Sequence, residues 1–167
     1  MSIRCSTCNV GTFEPTTVDR ADLSALMGLS PVEVHHAPAL RCTHCGEVTW
    51  EGTTLDAIAY ELARQLVADS SHLAPEEVRY LRKYLGLTQA DLATRLGVDR
   101  TTVARWEIAD RPLRHGEAIA LRALVALHLI AARPSLAASL QARFTTPPPA
   151  GRSAPYVVSS DVFDVAS

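Results

Sequence analysis

The four cysteines constrain this chain more than any other feature. They form two pairs near the N-terminus, Cys5-x-x-Cys8 and Cys42-x-x-Cys45-Gly46. Each pair can fold into a tight knuckle whose backbone N–H groups point at the sulfurs. Two facing knuckles give a tetrahedral four-sulfur site. Four thiolates close the coordination sphere, so an ion held there is structural and not catalytic. Zn2+ is the expected ion, and iron is its closest competitor because S4 geometry suits both. A disulfide framework fits poorly with a start, MSIRCSTC, that has no apolar leader. A redox pair fits poorly because neither CxxC lies in a βαβ pattern.

Between the cysteine pairs, Thr12–Val18 and Val32–Leu40 read as strands, with Glu47–Trp50 as a short third. The expected product is a small sheet pinned by the metal and too small to be stable without it. His35 and His36 are adjacent on a strand and should face opposite sides. With His44 they read as surface histidines. The apolar Ser24–Ser30 reads as a partner-binding loop or a local core plug. Gly52 breaks the chain, and Thr53 or Thr54 can cap a helix to about Asp69. Its apolar face is Leu55, Ile58, Ala59, Leu62 and Leu66, with Glu61 and Gln65 opposite. Asp69–His72 reads as a hinge. Pro75 opens the next helix, which turns Val78, Leu81 and Leu85 inward and Arg82 and Lys83 to solvent.

Leu85–Glu107, LGLTQADLATRLGVDRTTVARWE, reads as two short helices joined by a tight turn. Thr88 and Asp91 form a capping-box pattern. Leu85, Leu92 and Leu96 make an apolar stripe, Ala93 permits a close helix crossing, and Gly97 supplies the positive φ that ends the first helix. Val98 plugs the core and Asp99 caps the second helix. Val103 and Trp106 face inward, while Arg100, Thr101, Thr102 and Arg105 face outward. A structural hairpin needs no exposed Arg-Thr-Thr…Arg. A DNA reader does, for guanine edges, phosphates and thymine methyls. The expected DNA-binding set is Thr88, Gln89, Arg100, Thr101, Thr102 and Arg105. No residue constellation points to catalysis.

Beyond this stretch, Glu117–Arg133 is apolar almost all round, interrupted by Arg122 and His128. A small bundle buries one stripe of such a helix, so a twofold homodimer should bury the surplus. That arrangement also suits a palindromic operator in double-stranded DNA. Pro134–Phe144 reads as a further short helix. Residues 145–167 read as a linker followed by an apolar, acidic, disordered peptide that could alternatively add a strand to a partner's sheet. The net charge of the 167 residues is −2, but residues 75–115 carry a modest basic excess. No membrane span is expected, and the cytoplasm is the expected compartment.

The stretch LTQ…GV…V-x-x-WE resembles the Xre/phage-repressor class of helix-turn-helix. A CxxC…CxxCG module, a joining helix and such a motif together resemble the MqsA (YgiT-type) zinc-finger antitoxins over about residues 3–133. The resemblance implies Zn2+ on Cys5, Cys8, Cys42 and Cys45, a homodimer through the C-terminal domain, and a ribonuclease toxin bound by the N-terminal domain. It also implies a repressor of its own operon, with Gln89 on a backbone phosphate and Arg105 among the base readers. Thr101 stands where the family has an adenine-reading asparagine, which implies a different operator. The expected fold is α+β: a zinc-bound β domain (1–51), a connecting helix and hinge (52–72), an all-α helix-turn-helix and dimerisation domain (73–144), and a tail (145–167). The alternative is a stand-alone zinc-containing regulator whose N-terminal domain binds another protein.

Overall fold

The computed structural model describes residues 4–69, 72–138, 140 and 155–164. The fold is α+β, as expected: a small sheet beside the cysteine cluster, then a helical domain. The chain divides into two compact units. One comprises residues 1–26, 30–61 and 155–167, and the other residues 27–29 and 62–154.

The first unit is built on a hairpin, β1 (Phe13–Asp22) against β2 (Val32–Cys42), joined through a short helix α1 (Ser24–Met27). The expected loop at Ser24–Ser30 is thus partly helical, with Leu23 and Leu29 buried and Leu26 exposed. A two-residue β3 (Val48–Thr49) pairs antiparallel with Leu40 and Arg41. Val32 and Val34 are buried, but the buried positions then shift to Ala37 and Ala39. Strict alternation would have turned His36 and Pro38 inward. His36 takes φ 51 instead; the pairing register is the same on either side of it, and beyond it the small alanines turn in. Asp19 opposite is skipped in the ladder, and its carboxylate lies 3.5 Å from His36 Nδ1. His35 lies 3.5 Å from Glu33, so each histidine has its own acidic neighbour.

The tail departs from expectation. Tyr156–Val158 form β4, parallel to β2 at Val32–Val34, and Asp161–Asp164 form a short helix α7. Tyr156 and Val158 alternate inward and are buried, which repays ordering the segment. Residues 145–154 and 165–167 of the expected tail lie outside the described residues.

The connecting helix α2 spans Gly52–Ala68. Gly52 therefore starts the helix rather than breaking the chain, and Thr54 is buried within it rather than capping it. The two units divide between Glu61 and Leu62, inside α2, and Ser70 and Ser71 of the expected hinge lie outside the described residues. Ile58, Leu62 and Leu66 are buried as expected, but so are Tyr60 and Glu61. A helix enclosed on several sides does not show a single stripe.

The second unit holds α3 (Pro75–Tyr84), α4 (Gln89–Leu96), α5 (Arg100–Glu107) and α6 (His115–Ala132). Glu77 caps α3 by accepting the Ala74 N–H at 2.8 Å, and Glu117 does the same for Arg114 at 2.8 Å. Leu92, Ala93, Val103 and Trp106 are buried, while Leu85, Leu96 and Val98 are only half-buried. Pro134–Leu136 is one 3-10 turn, and residues 141–144 of the expected final helix lie outside the described residues.

Two arginines behave differently from expectation. Arg122 is buried on α6, and its Nε donates to the Leu66 carbonyl at 3.1 Å. That carbonyl belongs to the last turn of α2, where backbone acceptors lack helical partners, so the guanidinium caps the helix. Arg82 is not on a solvated face. Its Nε and Nη2 donate to the two Glu107 oxygens at 2.5 and 3.1 Å, and its Nη1 donates to the Leu87 carbonyl at 2.8 Å. Gln89 Nε2 donates to Glu107 at 2.9 Å, and Arg79 Nη2 donates to the Glu107 carbonyl at 2.8 Å. One buried carboxylate thus ties α5 to α3 and α4.

Burial opposes charge on Glu107, but the hydrogen bonds from Arg82 and Gln89 prevail and hold its carboxyl below the usual range. A depressed folded-state pKa contributes stability above the ordinary value of 4.5 and loses it as pH falls below that value. Glu107→Ala should cost roughly 3 kcal/mol by leaving Arg82 buried without its partner. Chemical denaturation of the variant at neutral pH checks the cost. The variant should also lose less stability than the parent between pH 5 and about pH 3.

Candidate metal centre and nucleic-acid interface

Cys5, Cys8, Cys42 and Cys45 come together at one end of the β1–β2 hairpin. Their sulfurs all lie within 4.8 Å of one another. The Cys5–Cys45 and Cys8–Cys42 separations are 3.8 and 3.7 Å. A tetrahedron with bonds of about 2.3 Å has edges of about 3.8 Å, so the four thiols fit a tetrahedral ion such as Zn2+. The donor set could hold a metal ion, and S4 donors suit zinc and iron alike.

Local structure explains the convergence. The Cys5 N–H donates to the Gly11 carbonyl at 2.9 Å, and the Asn9 N–H donates to the Cys5 carbonyl at 2.9 Å, closing the first knuckle. In the second, the Gly46 N–H donates to the Cys42 carbonyl at 3.1 Å, with Gly46 at φ 75. Backbone N–H groups of Gly11 and Val10 favour the Cys8 thiolate and lower its pKa to about 6. Those of Cys45 and His44 lower that of Cys42. At Cys45 the Glu47 N–H also favours the thiolate, but burial and the three neighbouring sulfurs win and raise the thiol to about 12. Bare sulfurs this close cannot all ionise. A dication supplies the charge that lets them, and its binding releases protons. His44 is exposed within the second knuckle. Its backbone N–H lies 3.5 Å from the Cys42 sulfur, and its ring is not part of the cluster.

Gly11 is a site residue that the cysteine spacing alone did not reveal. A Cβ there would lie 2.6 Å from the Cys42 sulfur and 2.9 Å from the His44 backbone nitrogen. Its position three residues after Cys8 was the available signal.

In the helical unit, α4 begins with a complete capping box. Thr88 Oγ1 accepts the Asp91 N–H at 3.2 Å, and Asp91 accepts the Thr88 N–H at 3.0 Å. Gly97 ends α4 at φ 66, as expected. Asp99 precedes α5, but its side chain makes no cap; only its carbonyl accepts, from the Thr102 N–H at 2.9 Å and the Val103 N–H at 3.4 Å. Buried Val103 and Trp106 set the roll of α5, leaving Arg100, Thr101 and Arg105 exposed.

The predicted DNA-contacting residues separate into three groups. Thr101 and Arg105 lie one turn apart on the open face of α5, and Ile108, which the sequence reading missed, extends that stripe at 68% exposure. Arg105 Nε lies 3.3 Å from Asp110, an exposed pair that costs little to open. Thr88, Gln89 and Arg100 instead line one cleft of about 430 Å3, together with Arg82. Backbone N–H groups at the start of α4 beside a guanidinium suit a phosphate oxygen. Thr102 belongs to neither group. It is half-buried, and its hydroxyl lies 3.4 Å from Arg111 Nη1.

Residues 78–121 match the helix-turn-helix family. The chain therefore carries a DNA-binding helix-turn-helix. The match spans most of α3, then α4, α5 and the start of α6, and it supports a DNA-binding transcriptional regulator. A comparison with curated proteins finds no match.

Gly11→Ala should weaken metal binding roughly 10–100-fold. Competition with a chromophoric chelator measures this directly. Unchanged affinity would mean that the knuckles are not held at the spacing described.

Proposed function

We propose that this protein is a dimeric, zinc-containing repressor in the cytoplasm that reads a palindromic operator. We further propose that it is an antitoxin, in which the cysteine-bearing unit binds a ribonuclease toxin. The observation that carries the DNA reading is the open face of α5, where Arg105 and Thr101 stand above buried Trp106 and Val103. Arg105 is the proposed base reader. Arg100, Gln89 and Thr88 are assigned to the phosphate backbone, because the cleft they share lies at the N-terminus of α4. Gln89 reaches a phosphate only through its second amide hydrogen, since the first is given to Glu107. Thr102 is a supporting residue in this reading.

The dimer rests on α6. Ile119 and Leu127 are exposed at 43% and 66%, two turns apart on one stripe. By length and composition α6 could also cross a bilayer, with 33% of it buried. Arg122 in its middle argues against that, because a lipid-embedded arginine is costly and this one is engaged with Leu66. The antitoxin reading rests on the order of the modules: two CxxC knuckles, a joining helix, then the DNA reader. The alternative, a stand-alone regulator, keeps the same DNA chemistry and binds a different protein.

Arg105→Ala should weaken specific operator binding by roughly 1–3 kcal/mol without changing thermal stability. Fluorescence anisotropy on the promoter of its own gene checks this, and unchanged affinity removes Arg105 from the base-reading role. For the antitoxin reading, the tagged intact chain should copurify from its host with a small ribonuclease, and Cys42→Ala should lose that partner while keeping DNA binding.

A further inference from the structure

The chain leaves α5 through a turn that is held from both sides. Ile108 closes the helix, and Ala109 takes φ 62, the left-handed conformation that glycine adopts at least cost. The Asp110 and Arg111 N–H groups then turn back and donate to the Arg105 carbonyl at 3.0 and 3.3 Å. The Arg111 guanidinium anchors the far side. Its Nη2 donates to Glu117 at 2.9 Å, and its Nη1 lies 3.4 Å from the Thr102 hydroxyl. The other Glu117 oxygen accepts the Arg114 N–H at 2.8 Å. A left-handed alanine persists only where its surroundings fix it, and these contacts do so. Asp110 is thereby placed beside the open face of α5, with its Oδ2 3.3 Å from Arg105 Nε. The other carboxylates around this turn, Glu107 and Glu117, are engaged by Arg82 and Arg111.

We propose that Asp110 is a positioning residue that sets the sequence specificity of Arg105. The proposal rests on the reading of Arg105 as the base reader. Asp110 takes the Nε side of the guanidinium. Nη1 and Nη2 remain for the O6 and N7 acceptors of guanine, which a bidentate contact requires. An arginine already held on one side loses less freedom when it docks.

The carboxylate also works against the wrong DNA. It competes with phosphate oxygens, which bind a guanidinium without regard to sequence. Its charge is repelled by the phosphates of any duplex, so it weakens binding to unrelated sequences. In water the exposed pair is weak. A duplex seated on α5 excludes water from the pair and strengthens it where the base is read.

The test measures fluorescence anisotropy of the full chain on a duplex of its own promoter and on a scrambled duplex. Each promoter guanine is replaced in turn by 7-deazaguanine, which lacks the N7 acceptor. In the unaltered protein one guanine per half-site should cost about tenfold in affinity when replaced. Arg105→Ala should abolish that cost. Asp110→Ala should reduce it to roughly threefold and raise affinity for the scrambled duplex roughly two- to fivefold. Asp110→Asn keeps an oxygen for Arg105 but removes the charge, so it should gain as much on scrambled DNA and retain more of the guanine cost. Both Asp110 variants should melt with the parent. An undiminished guanine cost in Asp110→Ala overturns the proposal. So does an equal loss of affinity on both duplexes, which marks a merely structural role. If Arg105→Ala keeps the guanine cost, the base-reading assignment itself falls, and the proposal with it.

Discussion

The helical unit depends on one buried carboxylate. Glu107 ends the recognition helix, and its oxygens accept from Arg82 on α3 and Gln89 on α4. Apolar packing of Val103 and Trp106 sets which face of α5 is hidden, but packing is tolerant of small rotations. A two-point arginine–carboxylate contact is not, because its hydrogen bonds are directional. The orientation of Thr101 and Arg105 toward solvent therefore follows from a charge placed on the opposite side of the same helix. The cost of burying that charge is offset by its donors, and the depressed pKa of Glu107 records the balance.

The β unit meets a comparable problem with different chemistry. Its sheet is small, and none of the β1 residues is fully buried. Order comes from the sulfurs brought within 4.8 Å at one end and from the returning C-terminal segment at the other. Gly11 shows how little slack the first end has. The backbone must pass so close to Cys42 and His44 that any side chain would displace them. At the second end the closure is three residues of parallel ladder.

Both motifs were legible as local patterns. The capping box at Thr88–Asp91, the left-handed Gly97 and the inward Val103 and Trp106 depend on residues within a turn or two of each other. Their physics is complete within the stretch. Failures occurred where a distant group intervened. Arg82 looked solvent-facing because its partner, Glu107, lies in another helix. Arg122 looked like a break in an apolar helix because the carbonyl it caps belongs to Leu66. Thr54 and Glu61 looked solvated because α2 presents no single stripe. The tail looked disordered because Tyr156 and Val158 gain their burial only against Val32 and Val34.

The sequence by itself determined the two chemistries: four thiols in two knuckles, and a helix-turn-helix with a cationic, hydroxyl-bearing face. Short-range constraints suffice for these, since knuckle geometry and helix periodicity are set by neighbouring residues. Tertiary structure alone decided which polar groups remain available to a ligand. It placed Gln89 and Arg100 beside Arg82 in one cleft and Arg105 on the open face, tied Arg82 to Glu107, and half-buried Thr102. It also returned Tyr156–Val158 to the first sheet. A side chain's availability depends on every element that reaches it, and that sum exists only once the chain has folded.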